Sequence, residues 1–368
     1  MGEAASLRRG VERLEAALER LERVIEDLTA ELRTPLLRRR DGVLREGIER
    51  LAEIRPALLA VQRGLLSLQG RDAKGRVVQG GAVPARLSDA ASARLQALGV
   101  ALRRWKGVMA LLARAAEDRV VPLYATPAPD DPRLAEAEAF DTAFDMLESA
   151  FAGADQDPEA QRHGCYSDIR LPPSRFLAHA HAAWRILAAS GRLEGARFLD
   201  VGCGSGSKVL LASRLFAAAD GLEFDPGYVA AARRILGTIH APRTGIIQGD
   251  ALTFEAYDRY EVIYFYRPMS DPAKLARLEE RIAGSARPGT VFITPYQDFP
   301  LRAPSLGAVP LGIMISVAGL GPEEAGALRR AAERTGPDLP DPARLRLRPE
   351  DGLWAPLLCA LRRNGFAT

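Results

Sequence analysis

The sequence predicts two domains, an all-α domain in front and an α/β domain built on a mostly parallel sheet behind. Three observations lead there. Phe198-Leu199-Asp200-Val201-Gly202-Cys203-Gly204-Ser205-Gly206-Ser207-Lys208 is a short apolar run, an acid and three alternate glycines, followed by a helix-like apolar segment, Val209 to Phe216. Further apolar runs alternate with helical stretches after it, the order expected of strand–helix units. Ahead of it, Leu7, Val11, Leu14, Leu18, Leu21, Ile25, Leu28 and Leu32 are spaced alternately four and three apart, an unbroken heptad seam.

The strand–loop–helix element is a nucleotide-holding device, because glycines let the backbone approach a ligand closely and a following helix offers free N–H groups. Its details exclude several ligands. The dinucleotide fingerprint G-x-G-x-x-G fails, since Ser207 stands where the last glycine belongs. A phosphate-cradling loop needs G-K-[ST], and here Lys208 follows Ser207. The nucleophile elbow G-x-S-x-G fails because Cys203 and Ser207 flank Ser205 at two residues' distance. What remains is Asp200, two residues before the first glycine. A carboxylate there repels a pyrophosphate and suits a cationic or amino-bearing ligand.

On these residues the chain resembles the class I S-adenosylmethionine-dependent methyltransferases, whose first motif reads acid-x-G-x-G-x-G. The resemblance extends from about Ala178 to Thr368. It implies a Rossmann-like three-layer α/β sandwich with a seven-stranded, mostly parallel sheet ending in an antiparallel strand, and the cofactor across the carboxyl ends of strands one and two. It implies that Asp200, Gly202, Gly204 and Gly206 form the cofactor loop. Gly221-Leu222-Glu223-Phe224-Asp225-Pro226 ends strand two, with Glu223 taking the two ribose hydroxyls and Phe224 lying on the adenine face. Pro226 opens the next helix. Ile246-Ile247-Gln248-Gly249-Asp250-Ala251 closes strand three and brings Asp250, with Ala251, to the adenine amino group. Tyr260 to Tyr266 reads as strand four, and Arg287 to Thr294 as the turn and fifth strand. Plainer readings stand beside these. Asp250 is equally a turn residue, Phe224 equally core, and Cys203 a small filler, while Lys208 is expected to snorkel to solvent and bind nothing.

Composition sets the bounds. A hydrophobic content of 47% describes a globular protein. Net charge is +3, and only four of the 50 basic residues are lysine. That skew is read as genome composition, since the basic residues are interleaved with glutamate and no basic block exceeds Arg38-Arg39-Arg40. Nucleic-acid binding is therefore not expected. Cys165, Cys203 and Cys359 have neither C-x-x-C spacing nor a pairing framework, which points to a reducing compartment. With four histidines no metal site is expected. No apolar run approaches the roughly 20 residues that span a bilayer, so a cytoplasmic protein without membrane attachment is expected. Leu311 to Leu320 reads as one buried late strand.

In the front half, residues 1–125, the seam permits a two-stranded coiled coil and thus a homo-oligomer, while Ala17 and Val24 widen the apolar face toward a bundle within the chain. Thr34-Pro35 ends the first helix. Val43 to Leu68 is helical with a kink or break expected at Pro56, and Ser88 caps a third helix running through Leu112. Gln69 to Val78 reads as a turn or small hairpin. This half is expected to recruit partners or to oligomerise. The Pro/Asp-rich stretch Thr126 to Pro132 marks the boundary. Residues 126–177 are read as linker and cofactor lid, with Tyr166, Asp168 and Arg175 as lid candidates, and residues 178–368 as the methyltransferase domain.

The resemblance implies methyl transfer (EC 2.1.1 class), with acceptor-facing residues at the end of strand four. There the chain carries Tyr264-Phe265-Tyr266-Arg267-Pro268-Met269 in place of [ND]-P-P-[YF], which argues against adenine, cytosine or glutamine amide acceptors. Tyr264 and Tyr266 are the catalytic candidates, placed on one face by strand alternation and able to hold an amine by cation–π contact or a phenol or acid by stacking. Either is equally core. A protein or small molecule is the expected acceptor. Two other readings stay open: a catalytically silent scaffold working through its helices, and a nicotinamide-dependent oxidoreductase, which Asp200 disfavours.

Overall fold

The computed structural model describes the chain except residues 1, 40–41, 70–86, 118, 125–127, 153–155, 167–170, 340–348 and 367–368. Most of the expected turn after Gln69, the start of the expected Pro/Asp-rich boundary and the lid candidate Asp168 lie outside the described residues. The chain forms two units, one of Met1–Arg119 with Asp338–Thr368 and one of Val120–Pro337.

The first unit is a helical bundle. α1 (Gly2–Arg33), α2 (Val43–Leu68) and α3 (Asp89–Ala116) are joined by a C-terminal helix, Ala355–Arg363. The heptad seam is covered by the chain's own helices. Leu14, Leu18, Leu21, Ile25, Leu28 and Leu32 are buried with Leu51, Ile54 and Leu58 of α2 and Leu95, Leu98 and Trp105 of α3 in one core. The seam is thus not left open for an intermolecular coil. Ser88 caps α3 as expected, its Oγ accepting from the Ala91 N–H at 3.2 Å. Of the kink or break expected at Pro56, the break does not occur, since α2 runs through it. Pro56 lies on the exposed face, where one lost backbone bond is offset by the buried Leu51–Ile54–Leu58 face.

The domain boundaries differ from those expected at both ends. The structural division falls at residue 120 and not in the Pro/Asp stretch, and residues 338–368 belong to the bundle and not to the α/β unit. The physical reason is apolar and ionic. Trp354 is fully buried against Trp105 at 5.2 Å, edge to face, and its Nε1 donates to the Ala101 carbonyl at 3.0 Å. Leu357, Leu358 and Leu361 enter the same core. Asp351, with no exposed surface, accepts from Arg362 at 2.8 Å and Arg104 at 2.6 Å. Burial acts to raise its carboxyl pKa, but the two guanidinium partners outweigh it and hold the group below the usual carboxylate range.

In the second unit, seven strands form one sheet: β1 (Arg197–Val201), β2 (Ala218–Glu223), β3 (Thr244–Gln248), β4 (Val262–Phe265), β5 (Val291–Ile293), β6 (Ala308–Gly312) and β7 (Ile315–Ala318), in the order β3-β2-β1-β4-β5-β7-β6. β3, β2, β1, β4 and β5 are parallel and β7 is antiparallel to β5. This is the seven-stranded, mostly parallel Rossmann-like sheet expected. The run Leu311 to Leu320 is not one strand: β6 and β7 form a hairpin across Ile313-Met314, with Ile313 exposed at the turn.

Helices α4 (Pro132–Ala152), α5 (Pro158–His163), α6 (Pro173–Ser190), α7 (Ser207–Ala212), α8 (Pro226–Thr238), α9 (Pro272–Ser285), α10 (Asp298–Arg302) and α11 (Pro322–Ala332) complete the unit. Helices pack on both faces of the sheet, as β4 shows. Tyr264 meets Phe176 of α6 at 5.2 Å on one face, and the next residue, Phe265, meets Phe299 of α10 at 5.1 Å on the other. Arg185, buried in α6, donates to the carbonyls of Val121, Pro122, Ala332 and Thr335 and so pins the start of the unit to the end of α11. Burial lowers its pKa to about 10. No helix among the described residues is long and apolar enough to cross a membrane.

Two measurable consequences follow from these buried charges. Arg362→Met leaves Asp351 buried with one cation fewer, so the bundle should lose about 3–5 kcal/mol in urea unfolding; a loss under about 1 kcal/mol would contradict the assigned role. His179 is buried in α6, and burial, aided by Arg175, lowers its pKa from 6.5 to about 4. The unfolded chain takes that proton first, so the stability is fully present above pH 6.5 and is lost as pH falls toward 4. The loss should reach about 3 kcal/mol, and His179→Leu should flatten the pH dependence of the denaturation midpoint. An unchanged slope would exclude His179 as its source.

Candidate functional site

β1 lies between β2 and β4, so the chain leaves the sheet in opposite directions on its two sides and opens a crevice at the carboxyl ends. The loop after β1 shapes one wall. Gly202 takes φ +79°, and a Cβ there would stand 2.9 Å from the Pro268 side chain, so only glycine lets the loop pass the segment after β4. Its N–H donates to the Leu222 carbonyl at 2.8 Å. Gly206, at φ +81°, ends the loop and begins α7. A Cβ there would stand 3.2 Å from Ala232 of α8.

Glu223 fastens this loop to the end of β2. Its Oε2 accepts from the Gly204 N–H at 2.8 Å, and its Oε1 accepts from the N–H groups of Phe224 and Asp225, both at 2.9 Å. Burial pushes its carboxyl above the usual range, against the pull of these three donors toward the ionised form. Asp225 extends the arrangement. Its Oδ1 caps α8 through Gly227 and its Oδ2 accepts from the Asp157 N–H at 2.7 Å.

From Asp157 a strap runs to the crevice, which Cys165 and Tyr166 help to line. It comprises α5 and residues Gly164 to Tyr166, and it is pinned at its far side. Lys274 Nζ donates to the His163 carbonyl at 2.6 Å, and the Ser270 N–H donates to the Gly164 carbonyl at 2.8 Å. Cys165 pairs with Met269 as an isolated antiparallel bridge. Burial, with Glu223 and Asp250 nearby, pushes the Cys165 thiol up to about 11, so it stays protonated at neutral pH and is no thiolate nucleophile.

The crevice is lined by Tyr166, Asp200, Gly202, Cys203, Gly204, Lys208, Glu223, Phe224, Ala251, Tyr264 and Tyr266, among others. All of these except Cys203 and Lys208 were expected there from sequence. Gly206 and Asp250 do not line it. Gly206 serves the approach of α7 to α8, and the Asp250 Oδ1 accepts from the Leu252 N–H at 2.8 Å in the turn that its Gly-Asp pair suggested. Arg175, a lid candidate, lies exposed in α6 and does not line the crevice. Phe224 lines the crevice, yet one face of its ring carries the His163 imidazole, stacked at 4.2 Å and 9°. His163 Nε2 stands 3.4 Å from Asp250 Oδ2. The two tyrosines are not on one strand face. β4 ends at Phe265, so alternation stops short of Tyr266, which packs against the cluster holding Phe265 and Met269. Arg267, between them and Pro268, has φ +46°, a strained setting for a side-chain-bearing residue at the crevice rim.

Three contributors escaped the sequence reading. Glu148, buried in α4, accepts from the Ser205 Oγ at 2.6 Å, a contact no local spacing announces. His163 covers Phe224. Lys208, expected to snorkel, is buried and lines the crevice; a lysine within two residues of the loop's last glycine was the available signal. Among the described residues no group of three His, Cys, Asp or Glu is placed to hold a metal ion.

The cavity measures about 80 Å³, well short of the roughly 300 Å³ of a usual small-molecule cleft. Glu223→Gln should both loosen the loop and weaken ligand binding, because an amide NH₂ cannot accept from the backbone N–H it would face. A destabilisation of about 1–3 kcal/mol is expected in thermal unfolding; a variant as stable as the parent would show that the clamp is dispensable.

No family model and no curated protein matches the chain. Among solved structures, it is similar to an amino pentose methyltransferase from Micromonospora echinaspora, with 28% identity, TM-score 0.28, and coverage of 33% of this chain and 51% of that one. It is similar to a sugar N-methyltransferase from Streptoalloteichus sp., with 26% identity, TM-score 0.27, and coverage of 38% and 54%. An RNA methyltransferase from Salinibacter ruber, in complex with S-adenosyl-L-homocysteine, matches at 21% identity and TM-score 0.27, covering 38% of this chain and 93% of that one. The chain spans about half the length of the first two.

Proposed function

We propose that the α/β unit is a class I S-adenosylmethionine-dependent methyltransferase and that its acceptor is a protein or a small molecule. One observation carries this reading: a single crevice at the strand-order reversal gathers the β1 acid Asp200, the glycines Gly202 and Gly204, and the β2 acid Glu223. The residues fit the cofactor. Two buried carboxylates suit a ligand that carries an amino group, a sulfonium and a ribose diol, and the glycine backbone admits close approach.

Bound there, S-adenosylmethionine supplies an activated methyl group on a positively charged sulfur. The chain's part is to bind, orient and exclude water. Asp200 and Glu223 hold the cofactor end. Tyr264 and Tyr266 wall the acceptor end, with Tyr264 fixed by packing on Phe176 and Phe198. Ala251 and Phe224 line the crevice where they would flank the base. Tyr166 serves as lid. The helical unit recruits a partner or substrate. Its heptad seam is used internally, so a homo-oligomer would form through another surface.

A second reading, a silent scaffold that keeps the fold, is favoured by the small cavity of the crevice. Calorimetric titration with S-adenosylmethionine, S-adenosylhomocysteine and NAD separates these. Micromolar binding of the first two without NAD is expected, with at least tenfold loss in Asp200→Ala. No binding of either adenosyl ligand, or full affinity in that variant, would overturn the site; tight binding without turnover on any acceptor would favour the scaffold.

A further inference from the structure

We propose that Lys208 is the counter-ion for the α-carboxylate of the cofactor's amino-acid end; this rests on the methyltransferase reading above. Lys208 is 8% exposed and lines the crevice. Its Nζ donates to the Ser207 Oγ at 3.1 Å, and among the described residues no carboxylate ion pair is formed by it. An ammonium taken out of water with one hydroxyl partner is costly unless a charge compensates it. Among the described residues the other cation lining the crevice, Arg267, is exposed.

The charges of the crevice then match a zwitterionic ligand by sign. Asp200 and Glu223 meet its cationic and hydroxyl groups, and Lys208 meets its single anion. Ser207, which also lines the crevice, orients the ammonium through the hydroxyl bond and offers that same hydroxyl to the carboxylate. Selection follows from the pairing. An adenosyl sulfonium without the carboxylate leaves Lys208 buried and uncompensated, so the site should discriminate against it.

The test compares S-adenosylmethionine with decarboxylated S-adenosylmethionine, two ligands that differ by the carboxylate alone, by calorimetry on the full chain and on Lys208→Met. The parent should prefer S-adenosylmethionine by about 10- to 100-fold, the range of a charged hydrogen bond. Lys208→Met should lose that preference by weakening S-adenosylmethionine and leaving the decarboxylated ligand within about twofold; Lys208→Arg should restore part of it. Equal weakening of both ligands would mark a merely structural lysine and overturn the proposal, as would an unchanged preference. Binding of neither ligand by the parent chain would instead overturn the methyltransferase reading itself. Thermal unfolding of Lys208→Met distinguishes a lost contact from a lost fold.

Discussion

The buried carboxylate of Glu223 is the point from which the site is organised. Three backbone N–H groups from two different loops converge on it, Gly204 from one side and Phe224 and Asp225 from the other. Those donors sit away from water, where an unmet N–H is expensive. The loop after β1 and the end of β2 therefore cannot move independently. Asp225, placed by that bond, caps α8 and receives the Asp157 N–H, which ties the strap to the same frame. The acid expected to meet a ligand is thus also a fastening, and its two tasks compete for the same two oxygens.

That competition bears on how the crevice works. With the strap pinned by Lys274 and Ser270 at one end and Asp225 at the other, the mouth is narrow and Phe224 is covered by His163. These contacts hold the segment in one position over Phe224.

The division of the chain follows from where apolar surface finds partners. The seam of α1 has a complete set of partners in α2, α3 and the C-terminal helix. Trp354 has a shaped slot beside Trp105 and a carbonyl for its N–H. The terminal segment is therefore held by packing and by the Asp351 ion cluster, and it returns to helices more than two hundred residues earlier in the sequence.

Local chemistry was legible from sequence alone. Capping by Ser88, helix opening at Pro226, the five parallel strands and the glycine loop with Asp200 and Glu223 each depend on neighbours within a few residues, and the pattern of those neighbours is written in order along the chain. What only the tertiary structure decided depends on partners distant in sequence. It placed residues 338–368 in the bundle, closed the heptad seam internally, and split Leu311 to Leu320 into a hairpin, because an apolar run does not encode which surface will cover it. It turned Lys208 inward, set His163 on Phe224 and brought Glu148 to Ser205, because burial of a polar side chain is fixed by the elements that fold over it. It also took Gly206 and Asp250 out of the crevice wall and gave them to packing and turn formation, since a motif specifies a backbone path and the surrounding helices decide which of its atoms face the cavity.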